Sequence, residues 1–287
     1  MNLLRQLRLP LVSVAVLSAF VTVCALLPAG CTPLINHMAF HPETATMPQA
    51  PRSNVGIRAV IYGTADGQTV VGYFLPATSR PERLVVYFHG NAGHIGQRLP
   101  ELRELATRTG AAVLGAGYRG YGASSGRPSE KGIYADGLAT LRYARETLGF
   151  APAATVLVGR SLGSTVATYL GAQGEDFAGL ALITPLARGS DFGHQHLGPL
   201  GYLAGRSFDS LARAPLIQEP VLLIHGLDDT VIPFDQGTRL FQALPGPKRL
   251  RLIPGGRHNT LEFTDPAAYW GDLSAFVIDP PRAVSEA

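Results

Sequence analysis

The segment Gly159-Arg160-Ser161-Leu162-Gly163 constrains this chain more than any other, because of what flanks it. Before it, Thr155 to Val158 is a short, apolar, β-branched run that reads as a buried parallel strand. After it, Ser164 to Leu170 has helical composition and meets a stop at Gly171 or Gly174. A serine caught between strand and helix sits on a sharp, strained turn, and small neighbours leave room for the segments that crowd it. Such a turn lifts the Ser161 Oγ out of the sheet, within reach of a substrate carbonyl. The five-residue pattern is a weak signal alone, and a serine here has a second possible role as a helix N-cap. The surrounding elements must carry the argument.

Those elements alternate. Val55 to Tyr62 and Thr69 to Leu75 flank the turn Ala65-Asp66-Gly67 and predict an opening antiparallel hairpin. Further strands are expected at Leu84 to Phe88, Ala111 to Tyr118, Val156 to Val158, Gly179 to Ile183, Val221 to Ile224 and Leu250 to Ile253. Helices are expected from Ile95 to Thr109, from Ser129 to about Gly149, after Ser161, and from Pro266 to Val277. The alternation implies an α/β chain with an eight-stranded, mostly parallel sheet and helices on both faces. Ligands of such sheets bind beyond the carboxyl ends of the strands. His89, Tyr118, Ser161, Thr184, Asp229 and His258 all fall at or just past those ends, on one edge.

A serine that attacks a carbonyl needs a base for its proton and a carboxylate to orient the resulting imidazolium. His258 is the candidate base, since no histidine lies beyond it. The carboxylate is Asp228 or Asp229, adjacent in the loop after the seventh strand, where periodicity cannot choose between them. His225, just before them, reads as a strand-end structural residue. Stabilising the oxyanion calls for backbone donors: the N–H of Leu162, after the nucleophile, and that of Asn91 in the Gly-rich loop after the third strand. His89 and His94 in that loop have no carboxylate beside them, so no metal site is expected.

Composition limits the remaining classes. A net charge of +3, dispersed along 287 residues, argues against a nucleic-acid partner. Arg5 and Arg8 precede an uncharged stretch from Leu9 to Leu27, followed by Pro28-Ala29-Gly30-Cys31. Residues 1–31 therefore read as an export signal or membrane anchor. The last four residues resemble the lipobox of bacterial lipoproteins, in which the cysteine is lipidated, although Pro28 stands where leucine is usual and Leu27 is one place early. An uncleaved transmembrane anchor is the alternative. Either reading attaches the chain to the membrane of the cell envelope, with its bulk outside the cytoplasm. Both cysteines, Cys24 and Cys31, lie in this segment, so the body has neither disulfide nor thiolate metal site. Residues 32–54 read as a tether and 55–287 as one globular domain.

From Gly56 to Val277 the chain resembles the α/β-hydrolase superfamily. The likeness is to serine hydrolases carrying His-Gly-Asn-Ala-Gly, Tyr-Arg-Gly-Tyr-Gly and His-Gly-x-x-Asp, here His89 to Gly93, Tyr118 to Gly122 and His225 to Asp229. Gly126 to Gly132 and Phe208-Asp209-Ser210 are similar to that group as well. The resemblance implies the α/β-hydrolase fold, Asp229 as the acid of a Ser161–Asp229–His258 triad, and a short cap between the sixth and seventh strands. It implies hydrolysis of carboxylic esters or thioesters through an acyl-enzyme on Ser161, without a cofactor, on a small-molecule or acylated substrate. The group includes membrane-associated thioesterases that remove fatty acyl chains from proteins. A serine peptidase or amidase of the same fold is the alternative, and an inactive envelope-binding module a third reading. Residues 186–205 depart from the group, with Gly189, Gly193, His194, His196 and Gly198 in place of a more hydrophobic cap.

Overall fold

In the computed structural model of the chain, residues 39–46, 56–199, 201 and 205–285 are described. The N-terminal segment, Cys31 and most of the expected tether lie outside them. Eight strands build one sheet: β1 (Arg58–Gly63), β2 (Thr69–Leu75), β3 (Arg80–Phe88), β4 (Ala111–Ala116), β5 (Thr155–Arg160), β6 (Gly179–Ile183), β7 (Val221–Gly226) and β8 (Lys248–Ile253). Their order across the sheet is β8-β7-β6-β5-β3-β4-β2-β1. Only the pairs β1/β2 and β2/β4 are antiparallel. The others run parallel, from β8 across to β4.

The central strands are apolar throughout because both of their faces are covered. Along β3, Leu84, Val86 and Phe88 join one core, while Val85 and Tyr87 point into the other. The first core is closed by α2 (Glu130–Glu146), α3 (Leu162–Gly171) and α6 (Phe234–Ala243), through Ile133, Val166, Leu170 and Leu240. The second is closed by α1 (Leu99–Thr109) and α8 (Pro266–Ile278), through Leu102, Leu105, Leu273 and Phe276. Each such side chain withdrawn from water contributes roughly 1.5–3 kcal/mol before the entropy of ordering is counted. Between β6 and β7 lie α4 (Gly189–Leu197) and the one-turn α5 (Ser210–Arg213), the expected cap region. The one-turn α7 (Leu261–Thr264) follows the loop that carries His258.

Residues 39–46 differ from the tether expected of them. His41–Pro42 pairs in parallel with Ala92–Gly93, and Thr44 bridges Gly122. Phe40 is buried, with its ring edge-on to Phe208 at 5.9 Å. One apolar ring and a short ladder dock a stretch whose composition otherwise suggests exposed coil.

Candidate active site

Ser161 occupies the turn between β5 and α3 at φ 53° and ψ −119°, a conformation that costs a non-glycine residue about 1–3 kcal/mol. The neighbouring glycines are what make it possible. A side chain on Gly159 would meet the Gly163 carbonyl oxygen at 2.5 Å, and one on Gly163 would meet the Phe88 carbonyl oxygen at 2.0 Å. The turn is pinned by Ser161 N–H donating to the Ile183 carbonyl at 2.9 Å and by the Ser164 hydroxyl donating to the Ser161 carbonyl at 2.6 Å. Although Ser161 stands at the helix cap position, its side chain caps nothing. The hydroxyl is turned to another partner.

That partner is His258, whose Nε2 lies 2.9 Å from the Ser161 Oγ. On the far side of the ring, Nδ1 is 2.7 Å from the Asp229 Oδ2. Burial alone would raise the Asp229 carboxyl. Hydrogen bonds from His225, His258 and the Ile232 N–H outweigh it and hold the group well below the usual carboxylate range. An ionised carboxylate only accepts, so the hydrogen resides on His258 Nδ1 and leaves Nε2 to accept from the serine hydroxyl. The other oxygen of the same carboxylate, Oδ1, accepts the N–H groups of Val231 and Ile232, both at 2.9 Å. One aspartate thus both closes its own turn and orients the histidine. Asp228 is exposed. His225 is fully buried and its Nε2 donates to the Ile232 carbonyl at 2.9 Å, 3.4 Å from Asp229 Oδ2. It supports the aspartate loop, as a strand-end structural residue should.

The loop after β3 runs directly beside the nucleophile: a side chain on Gly90 would lie 3.5 Å from the Ser161 Cβ. Burial pushes the His89 imidazole down to about 3, so the ring is neutral. Its Nδ1 lies 2.7 Å from the Gly90 carbonyl oxygen and donates to it. That carbonyl shares a peptide plane with the Asn91 N–H, so fixing one fixes the direction of the other. The Asn91 carbonyl accepts from the Tyr121 hydroxyl at 2.8 Å, and Tyr118 donates to the His89 carbonyl at 3.0 Å. Both tyrosines of the Tyr-Arg-Gly-Tyr-Gly motif therefore hold the His-Gly-Asn-Ala-Gly loop. The arginine between them, Arg119, bonds Asp136 of α2 and Asp66 of the β1–β2 turn, anchoring the tyrosine loop in turn. Leu162 opens α3, where its N–H has no intrahelical acceptor. The sequence placed these motifs at one edge; it did not show that one braces the other, because the hydroxyls act across loops without periodicity.

The profile of the alpha/beta hydrolase fold family matches residues 83–205. An uncharacterized protein of Mycobacterium tuberculosis is 32% identical over 252 residues, 85% of this chain and 89% of its own length. The chain belongs to the α/β-hydrolase superfamily. Alpha/beta hydrolase domain-containing protein 17B of Homo sapiens is 29% identical over 220 residues, 77% of this chain and 75% of that protein. Among solved structures, an esterase from Pyrococcus furiosus superposes with a TM-score of 0.69 at 17% identity, covering 83% of this chain and 98% of that one.

Ser161 and His258 open into a cleft of about 780 Å³. Phe192, Val231, Phe263 and Trp270 give it apolar surface, while Glu101 and Arg160 line its charged side. Arg160 lies 3.3 Å from Glu101 and 3.1 Å from Glu262, and also reaches the His258 carbonyl at 3.4 Å. Burial opposes its charge, but the two carboxylates keep the guanidinium protonated. It ties α1 and α7 to the histidine loop, a role that its place between the two motif glycines does not reveal. The cap helix α4 bonds the loop after Asp229, with Gln195 donating to the Thr230 carbonyl at 3.1 Å and His196 reaching the Val231 carbonyl at 3.0 Å.

Proposed function

We propose that this protein is a serine hydrolase that cleaves carboxylic esters or thioesters through an acyl-enzyme on Ser161. The single observation that carries the reading is the unbroken chain Ser161–His258–Asp229, with links of 2.9 and 2.7 Å, at the carboxyl ends of three strands. His258 Nε2 takes the hydroxyl proton as Oγ attacks the carbonyl carbon, and Asp229 stabilises the imidazolium. The oxygen that becomes negative is received by the N–H groups of Asn91 and Leu162. The protonated Nε2 then delivers its proton to the departing alcohol or thiol, and water, activated by the same nitrogen, releases the acid.

The apolar wall formed by Phe192, Val231 and Phe263 suits an acyl chain, and the width of the cleft leaves room for a bulkier leaving group. Arg5 and Arg8 ahead of the apolar run support attachment of the domain to the outer side of a cell-envelope membrane, through lipidated Cys31 or an uncleaved anchor. A substrate panel tests the chemistry. Matched esters, thioesters and amides of increasing acyl length are to be hydrolysed by the full-length protein. Esters or thioesters should turn over faster than amides at every length. Faster cleavage of the amides would replace this reading by a peptidase or amidase.

A further inference from the structure

We infer that residues 39–46 act as a clamp on the oxyanion loop, which makes the segment between the membrane-directed N-terminus and the domain a positioning element of the catalytic site. The inference rests on the function proposed above and identifies what holds one of its two oxyanion donors. The loop from His89 to His94 is irregular apart from its pairing with His41–Pro42, and it contains Gly90 and Gly93. Ordering backbone of this kind costs about 1–2 kcal/mol per residue, so the loop keeps one geometry only if other groups hold it.

The clamp supplies those groups along its length. The His41 N–H donates to the Asn91 carbonyl at 3.0 Å, and the Glu43 N–H to the Gly93 carbonyl at 3.3 Å. The Glu43 carbonyl accepts from Gly122 at 2.8 Å, and the Ala45 N–H donates to the Gly122 carbonyl at 3.0 Å, which joins the clamp to the tyrosine loop. Gln97, just past the oxyanion loop, donates its side-chain amide to the Glu43 carboxylate at 2.6 Å. Phe40 seats the start of the segment in the apolar core beside Phe208. The Asn91 carbonyl is thus gripped from two sides, by Tyr121 from within the domain and by His41 from the clamp. Releasing the clamp removes one of those donors and the only partner of the Gly93 carbonyl among the hydrogen bonds of the described residues. The domain would stay folded, because of these residues only Phe40 and the partly buried Ala39 touch the cores, which the sheet and helices otherwise close. The oxyanion loop around the Asn91 N–H would then be held only from within the domain, by His89 on the Gly90 carbonyl and Tyr121 on the Asn91 carbonyl, and would hold its position beside Ser161 less firmly.

The test uses the full-length protein with His41→Pro, which deletes the N–H that reaches Asn91, and His41→Ala, which keeps it. Both are compared with wild type for kcat and KM on an activated ester, for inhibition by a trifluoromethyl ketone whose adduct places an oxyanion in the same position, and for thermal midpoint. His41→Pro should lower kcat about tenfold or more and raise the inhibition constant by the same factor. KM and the thermal midpoint should change little, and His41→Ala should behave as wild type. Unchanged kcat and inhibition in His41→Pro would overturn the inference, as would an equal loss in His41→Ala. If His41→Pro does not fold, Phe40→Ala is read in the same way, and activity lost only in proportion to the unfolded fraction counts against the clamp. A wild-type protein that neither hydrolyses esters nor binds the ketone overturns the proposed function itself, and the clamp with it.

Discussion

Asp229 is the residue on which most of the site's geometry converges, since its two oxygens serve different partners. Asparagine in its place keeps the shape but turns one acceptor into a donor. Either the turn N–H groups or the His258 Nδ1–H then faces an amide hydrogen, and the histidine loses the tautomer it needs. Asp229→Asn should therefore lower kcat by about 10⁴, whereas Asp228→Asn, altering an exposed neighbour, should stay within about threefold of wild type. Side-by-side turnover of the two variants checks this, and a crippled Asp228→Asn would reassign the acid. Serine and histidine were legible from chain order and from the strand-turn-helix setting. The aspartate pair was not, because adjacent loop residues share composition and exposure in sequence; only the likeness to a known motif chose between them. What separates them physically is the Val231–Ile232 turn, which points Asp229 inward.

At the scale of elements, the site is a set of strand ends braced by loops. The sheet was readable because strands covered on both faces become short continuous apolar runs, and β3, β5, β6 and β7 are all of that kind. The bracing was not readable. His89, Tyr118 and Tyr121 look like three polar residues at one edge, yet they form a cluster of tilted and edge-on rings, with His89 and Tyr118 centroids 4.5 Å apart, that braces the loop after β3. Burial of His89 as a neutral ring has a consequence for stability. Its folded-state pKa of about 3 lies below the ordinary value near 6.5, so between these limits the unfolded chain binds a proton that the folded protein excludes. Above that window His89 exerts no penalty; as pH falls through it, His89 destabilises the fold by up to about 1.4 kcal/mol per pH unit. His89→Asn keeps a donor near the Gly90 carbonyl without a titrating ring. Urea unfolding between pH 7 and 4.5 should show a shallower loss of stability in the variant than in wild type. Equal slopes would mean that His89 is not buried neutral.

Across the whole molecule, the catalytic edge of the sheet and the route to the N-terminus meet in the same place. Residue 39 enters the domain beside the loop that flanks Ser161, eight residues after Cys31 and twelve after the end of the apolar run at Leu27. An extended stretch of that length spans at most about 40 Å, so an anchored protein would hold its cleft near the bilayer surface. If Cys31 is cleaved and lipidated, intact mass on the membrane fraction should show residues 1–30 missing and acyl chains added, and Cys31→Ser should restore the unprocessed mass. A full-length, unacylated mass in both would leave the uncleaved anchor. None of this bears on the chemistry, which one measurement reaches most directly: reaction of the full-length protein with a fluorophosphonate, followed by peptide mapping and turnover of an activated ester by wild type and Ser161→Ala. The account predicts a single adduct on Ser161, no adduct in Ser161→Ala, and a loss of about 10⁴ to 10⁶ in kcat with the fold intact. An adduct on another residue, or a folded Ser161→Ala protein that retains a tenth of wild-type turnover, would contradict it.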